Sequence, residues 1–211
     1  MGIPPDSDEA MAPSSLLIAT NNPGKVAEIR ALLSGLGMRL LIPRDLGLDL
    51  DVAEDGLTYA ENAAKKALAF SRASRLVSLA DDSGLEVDAL SGRPGLHSHR
   101  FAPQPGASDA DRRHYLLEVL RGKPRPWTAR FRATVAIATP SGAVSLAEGL
   151  CEGEIIPQER GHHGFGYDPI FLLPELGLTM AELEMDQKNN LSHRARAVKN
   201  AIPAIQEAVR G

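Results

Sequence analysis

The amino-acid sequence predicts an α/β protein. Short apolar runs alternate with capped helical stretches through the first half, two long β-prone runs joined by a tight turn occupy the second, and an amphipathic helix closes the chain.

Residues 1–15 carry acids and three prolines, with neither a basic start nor an apolar segment, so they read as a disordered tail rather than a signal peptide. Ordered structure is expected from the apolar run 16–20, a buried strand that ends in the turn Asn21-Asn22-Pro23-Gly24. A helix follows with Asn22 as cap, Pro23 at its first position and Val26, Ile29, Leu32, Leu33 and Leu36 on one stripe; Gly35 and Gly37 end it. Residues 38–42 form a second strand. Thr58-x-x-Glu61 is a capping box opening an alanine-rich helix to about Ser74. Residues 76–80 make another strand, expected to break at Asp81-Asp82-Ser83-Gly84 before extended structure resumes at 85–90.

Ser108-x-x-Asp111 caps a helix to about Arg121, and residues 128–139 and 143–156, joined by Pro140-Ser141-Gly142, form a large antiparallel hairpin. A glycine- and histidine-rich loop at 161–168 precedes a short apolar run at 170–173. Thr179-x-x-Glu182 offers a short helix start, and Ser192 caps a terminal helix that Pro203 is expected to kink or break.

Composition narrows the function. A chain of 211 residues with 43% hydrophobic and 24% charged residues suffices for one domain with a sizeable core. A net charge of -4 argues against duplex nucleic acid or an anionic membrane surface as partner. The single Cys151 excludes an intramolecular disulfide and a multi-cysteine zinc site, and no apolar run approaches the roughly 18 to 20 residues that span a bilayer, so a reducing cytoplasm fits best.

Four segments could carry chemistry. Thr20-Asn21-Asn22-Pro23-Gly24-Lys25 places a hydroxyl, amides and an ammonium at a helix N-terminus, which favours an anion, although the same residues would serve in an ordinary capped turn. No G-x-x-x-x-G-K-[ST] pattern is present, which argues against a P-loop enzyme. Asp81 and Asp82 follow an apolar strand, where ligand crevices open in α/β sheets, with Glu54 and Asp55 as further carboxylates; the bland alternative is a polar turn. Adjacent side chains in extended backbone point opposite ways, so one carboxylate faces a cleft while the other supports a neighbour. Magnesium takes one or two protein carboxylates and completes its shell with water and phosphate.

Gly164-Phe165-Gly166-Tyr167-Asp168-Pro169 has the composition of a base-stacking pocket, or of a loop whose aromatics plug the core. His162 and His163 lack a spaced third ligand and make a poor metal site. Ser192-His193-Arg194 sets an imidazole and a guanidinium at a helix start, and Lys66, Arg100 and Lys188 are further cations that could converge on phosphate or base.

Together these segments resemble the inosine triphosphate pyrophosphatase family, also called XTP/dITP diphosphatases. The marks are Thr20-x-Asn22-x-x-Lys25, Glu54-x-Gly56-x-Thr58, Glu61-Asn62-Ala63-x-x-Lys66-Ala67, Ala80-Asp81-Asp82-Ser83-Gly84-Leu85, Phe165-Gly166-Tyr167-Asp168-Pro169 and Lys188 with Ser192-His193-Arg194. Their order and spacing over residues 16–209 make the set specific.

The resemblance implies an elongated central mixed β-sheet flanked by helices, with residues 16–211 forming one bilobal domain, a substrate cleft between the lobes, and a homodimer. It implies Mg2+-dependent hydrolysis of ITP, dITP and XTP to the monophosphate and pyrophosphate. Residues 20–25 (Thr20, Asn21, Asn22, Pro23, Gly24 and Lys25) and Ser83 would hold the triphosphate. Asp82 would be metal ligand and proton acceptor for the attacking water, with Glu54 a second metal contact and Lys66 near the phosphates. Phe165, Gly166, Tyr167, Asp168, Lys188, His193 and Arg194 would hold the base. Two positions depart from the family pattern: His163 stands where a glycine is usual, and His99 where a small residue is common. A pyrophosphatase for pyrimidine or modified nucleotides and a non-catalytic nucleotide-binding regulator are the alternatives.

Overall fold

The computed structural model describes residues 14–210. Of the expected tail, residues 1–13 lie outside the described residues. Strand β1, Ser15–Ile18, leads into helix α1, Pro23–Leu33, and returns through β2, Arg39–Leu41. Helix α2 spans Tyr59–Ser74, strand β3 Val77–Val87 and helix α3 Asp109–Leu120. The hairpin β4, Trp127–Ala138, and β5, Val144–Ile155, is followed by the short strands β6, Phe171–Leu173, and β7, Leu178–Thr179. Helices α4, Met185–Leu191, and α5, His193–Arg210, finish the chain.

The seven strands form one mixed sheet in the order β2-β1-β3-β4-β5-β6-β7. β2, β1 and β3 run parallel, and every later neighbour is antiparallel. The expected α/β class, mixed sheet and flanking helices are all present. Among the described residues no helix is long and apolar enough to cross a membrane.

Side-chain alternation sorts the core by face. Leu16, Ile18 and Leu79 pack with Ile29 and Leu33 of α1 and Val198 and Ile205 of α5. Leu17, Ala19 and Ala80 pack on the other face with Ala63, Ala67 and Phe70 of α2. A third cluster at the far end of the sheet joins Leu85 and Val87 to Leu116 and Leu120 of α3 and to Phe131, Ile155 and Phe171.

The local signals mark most boundaries. Asn22 Oδ1 accepts the Lys25 N–H at 3.1 Å, and Ser108 Oγ accepts that of Asp111 at 3.2 Å. Thr58 Oγ1 likewise accepts the Glu61 N–H, but the Glu61 carboxylate turns to the N–H of Leu57 at 2.8 Å, one residue earlier than a capping box requires.

Two expectations need correction. β3 does not break at Asp81. It runs through to Val87 because β4 pairs with it from Ser78 to Val87, and that ladder holds the D-D-S-G segment extended. Gly84 is needed there for close packing, since a Cβ would sit 2.3 Å from the Gly95 carbonyl oxygen. α5 passes Pro203 without a break, held by the buried stripe of Ala195, Val198, Ala201 and Ile205 on either side. α4 has no forecast in the sequence reading; the Glu184 N–H donates to Gln187 Oε1 at 3.0 Å and closes its first turn.

Candidate active site

β1 ends at Ile18 beside Leu79, whereas β3 continues for eight more residues. The end of β1 thus leaves one edge of β3 free of a strand, and the turn after β1 borders a cleft of about 970 Å³ there. This is where ligands enter open α/β sheets, beyond the carboxyl ends of parallel strands.

The parity of β3 settles the direction of its carboxylates. Asp82 shares a face with Ala80 and looks toward α2, where Asn62 Nδ2 donates to its Oδ2 at 3.0 Å. Its other oxygen accepts the Ser83 N–H at 2.9 Å. Burial raises the Asp82 pKa, and the nearby charge of Glu54 adds to the rise. Glu54 pairs with Lys66, and its backbone carbonyl accepts Arg100 at 3.3 Å. Burial alone would lift the Glu54 carboxyl, but Lys66 outweighs it and holds it below the usual range.

Asp81 shares a face with Leu79 and looks the other way. Arg194 Nε donates to its Oδ2 at 3.0 Å, and Lys25 Nζ lies 3.3 Å from Oδ1. Burial pushes this carboxyl up, yet Lys25 and Arg194 together hold it well below the ordinary aspartate range. Arg194 also donates to Glu28 at 2.5 Å and to Ser83 Oγ at 2.9 Å. Glu28 in turn pairs with Lys188 at 2.6 Å, and Lys188 with Asp168 at 2.6 Å. Burial works against the Lys188 ammonium, but Asp168 and Glu28 raise its pKa and keep it charged. A chain of alternating charges therefore runs from the turn after β1 to the loop at 164–168.

That loop lies against the first turn of α1, with the Phe165 ring over Gly24. Asp168 Oδ2 accepts the Phe165 N–H at 2.9 Å, and the Phe165 ring lies 5.3 Å from Lys188 Nζ and 5.4 Å from Arg194 Cζ. His193 stacks on Phe131 at 4.7 Å, and its Nδ1 is buried without a hydrogen-bond partner. Burial, reinforced by Arg194 and Lys188, keeps its imidazole neutral.

One cleft thus gathers the α1 N-terminus, several cations and carboxylates, and an aromatic ring. The Ham1 family model matches residues 16–204. The chain belongs to the Ham1 family.

Its relatives agree over nearly their whole length. A dITP/XTP pyrophosphatase of Desulforamulus reducens is 48% identical over 191 residues, which is 90% of this chain and 94% of that one. The dITP/XTP pyrophosphatase of Thermus thermophilus is 43% identical over 193 residues, 91% and 92% of the two chains. The structure of a HAM1 protein from Coxiella burnetii superposes with a TM-score of 0.82 at 36% identity, covering 92% of this chain and all of the other.

Most residues singled out from the sequence meet at this Ham1 cleft. Thr20, Asn21, Asn22, Lys25, Glu54, Lys66, Asp82, Ser83, Phe165, Gly166, Tyr167, Asp168, His193 and Arg194 line it. Pro23, Gly24 and Lys188 do not. Pro23 opens α1, and Gly24 lies under the Phe165 ring, where a Cβ would come within 2.5 Å. Lys188 is buried behind Phe165 and reaches the cleft only through Asp168 and Glu28. Asp55 pairs with Lys65, outside the cleft. Tyr167 is mostly core, its hydroxyl donating to the Ser98 carbonyl at 2.8 Å.

Of the two departures, His163 faces Glu184 at 3.3 Å and is not a cleft residue, whereas His99 lines the wall beside Arg112. The sequence reading assigned no role to Glu28, Asn62, Asp109 or Phe131. Glu28 had a signal, because it stands one helical turn after Lys25 on the same face. Asn62 stood inside the Glu61-Asn62-Ala63 motif without a role of its own, and Asp109 and Phe131 meet the site only through tertiary packing.

Proposed function

We propose that this Ham1 chain hydrolyses deaminated purine nucleoside triphosphates, ITP, dITP and XTP, to the monophosphate and pyrophosphate, so cleansing the nucleotide pool. The observation that carries the proposal is the cleft at the carboxyl end of β1, where Lys25, Lys66 and the α1 N-terminus meet Phe165, His193 and Arg194, with Asp82 between α2 and the open edge of β3.

Triphosphate binding falls to Thr20, Asn21, Asn22, Lys25 and Ser83, whose donors and positive charge suit phosphate oxygens. Pro23 and Gly24 shape that turn. Asp82 orients the attacking water and takes its proton; partial burial and the Glu54 charge make it a stronger base than an exposed aspartate. Lys66 and Lys25 offset negative charge as it builds on the departing pyrophosphate.

Asp82 and Glu54 also form a donor set suited to Mg2+. Asp82 feels the Glu54 charge, and a divalent cation takes one or two such carboxylates together with phosphate oxygens. Bound there, the ion would supply Lewis-acid neutralisation of the phosphate chain.

Base choice rests on donors. Three of the five N–H groups of Arg194 are engaged by Asp81, Glu28 and Ser83, which leaves two for an acceptor such as the C6 carbonyl of hypoxanthine or xanthine. Adenine presents an amino group at that place and would leave those donors unpaired, a mismatch worth up to about 10⁴- to 10⁵-fold. Phe165 supplies the stacking face, and Lys188 and Asp168 hold it. The reading carries with it a homodimer in the cytoplasm, which sedimentation and fractionation check.

The test is pyrophosphate release from ITP, XTP, dITP, GTP, ATP and TTP with and without magnesium. Magnesium-dependent release strongest with ITP, XTP and dITP supports the proposal; equal or greater release from TTP or ATP overturns the base assignment, and no release from any of them overturns the enzyme.

A further inference from the structure

The loop that carries Phe165 is built from backbone that is costly to order. Gly161, Gly164 and Gly166 all adopt positive φ, at 81°, 75° and 62°, and glycine loses more conformational freedom on ordering than any other residue. The Lys188–Asp168 pair grips the loop from one side through the Phe165 N–H. A second grip comes from α3. Asp109 Oδ2 accepts the Gly166 N–H at 2.8 Å, and Arg113 Nη1 donates to the Gly166 carbonyl at 2.9 Å. Both peptide groups of the residue after Phe165 are therefore held by side chains one helical turn apart.

Each holder is itself held. Arg113 makes two parallel bonds to Glu159, both at 2.9 Å, which fixes its guanidinium plane and leaves Nη1 aimed at the loop. Asp109 pairs with Arg112, whose Nη1 also donates to the carbonyls of His99 at 3.2 Å and Ala107 at 2.5 Å. Ser108, not Asp109, caps α3, so the Asp109 carboxylate is free for the loop.

We propose that Asp109 and Arg113 are positioning residues for nucleotide binding: the first two turns of α3 pin Gly166 by both its backbone groups and so present Phe165 over Lys188 and Arg194. This rests on the reading of Phe165 as the stacking face for the base. The grip sets affinity rather than turnover, because Asp82 and the lysines of the phosphate end are held by α1, α2 and β3 and not by α3.

The experiment pairs two readouts on Asp109→Ala and Arg113→Ala. Amide hydrogen exchange in the protein without nucleotide reports the grip: the Gly166 amide is expected to exchange at least 10-fold faster in Asp109→Ala, while the amides of α5 are unchanged. Steady-state kinetics report its use: KM for dITP is expected to rise about 10-fold in each variant, the effect of one lost charge-assisted hydrogen bond, with kcat within twofold. Arg113→Ala keeps the test open should Asp109→Ala not fold. Unchanged Gly166 exchange in Asp109→Ala, or a loss in kcat with KM unaltered, overturns the proposal. Exchange needs no substrate, so a wild-type protein inactive on all six nucleotides would sink the functional reading and leave the grip to be decided separately.

Discussion

Asp81 and Asp82, neighbours in β3, face opposite sides of the sheet and carry opposite pKa shifts. Asp81 looks to α1 and α5, where Lys25 and Arg194 hold it ionised. Asp82 looks to α2, where burial outweighs the Asn62 hydrogen bond and its proton is held more tightly than in water. Two identical residues are thereby given different surroundings, the first as the joint of an ionic chain and the second as the carboxylate proposed as base.

Replacing Asp82 by Asn removes the base while keeping the Asn62 contact and the size of the side chain. Turnover is expected to fall by about 10²- to 10⁴-fold with the melting temperature little altered. Pyrophosphate release and a thermal melt on the same sample check this; turnover near that of the wild type would refute the assignment. In the wild type the base must be ionised, so activity is full at high pH and is lost as pH falls through the Asp82 pKa, which burial raises in the protein without a bound cation.

Asp81→Asn leaves Lys25 and Arg194 buried without their shared counter-charge. Breaking a buried pair from one side costs about 3 to 5 kcal/mol, so a lower unfolding midpoint in denaturant is expected at pH 7. The sign follows from the depressed carboxyl: its contribution is present above the unfolded pKa and is lost as pH falls through the folded one. The stability gap between wild type and variant should therefore be constant from pH 7 to about pH 5 and narrow below pH 4. A gap that widened with acid would contradict the ion-pair account.

Gly149→Ala tests how closely α5 lies on the sheet. A Cβ at Gly149 would sit 2.0 Å from the His193 carbonyl oxygen and 2.4 Å from the Ala197 nitrogen, both backbone atoms that cannot turn aside. α5 must shift, carrying His193 and Arg194 with it. A loss of about 1 to 3 kcal/mol in stability is expected together with a higher KM for dITP. A melt and a kinetic titration measure the two effects, and an unchanged melting temperature would show that the close approach is not binding.

Glu54→Gln keeps the side chain's length and removes one negative charge beside Asp82. The magnesium concentration for half-maximal activity is expected to rise by about 10-fold or more. An unchanged magnesium titration would take Glu54 out of the donor set.

Wherever a local cause sufficed, the sequence was legible. The caps at Asn22, Thr58 and Ser108 place helix starts because their bonds span three residues. The Pro140-Ser141-Gly142 turn announces the β4–β5 hairpin for the same reason. Neighbours distant in sequence decided where the reading failed. D-D-S-G has turn propensity, but β4, about fifty residues on, supplies a ladder that holds it extended. Pro203 would disrupt an isolated helix, and the apolar stripe of α5 against the sheet carries the helix past it.

The sequence by itself determined the α/β class, the Ham1 family and the residue types needed at a phosphate and a base site, since these follow from periodicity, short-range caps and motif order. Which way each carboxylate of β3 faces and which partners shift its charge, and that Lys188 lies behind Phe165 rather than in the cleft, only the tertiary structure decided. The physical reason is that charge state depends on burial and on partners brought from far along the chain. Glu28 and Arg194 are 166 residues apart, Asp81 and Arg194 are separated by 113, and Gly166 and Asp109 by 57. No local pattern encodes those distances; the sheet and the helices packed on it set them.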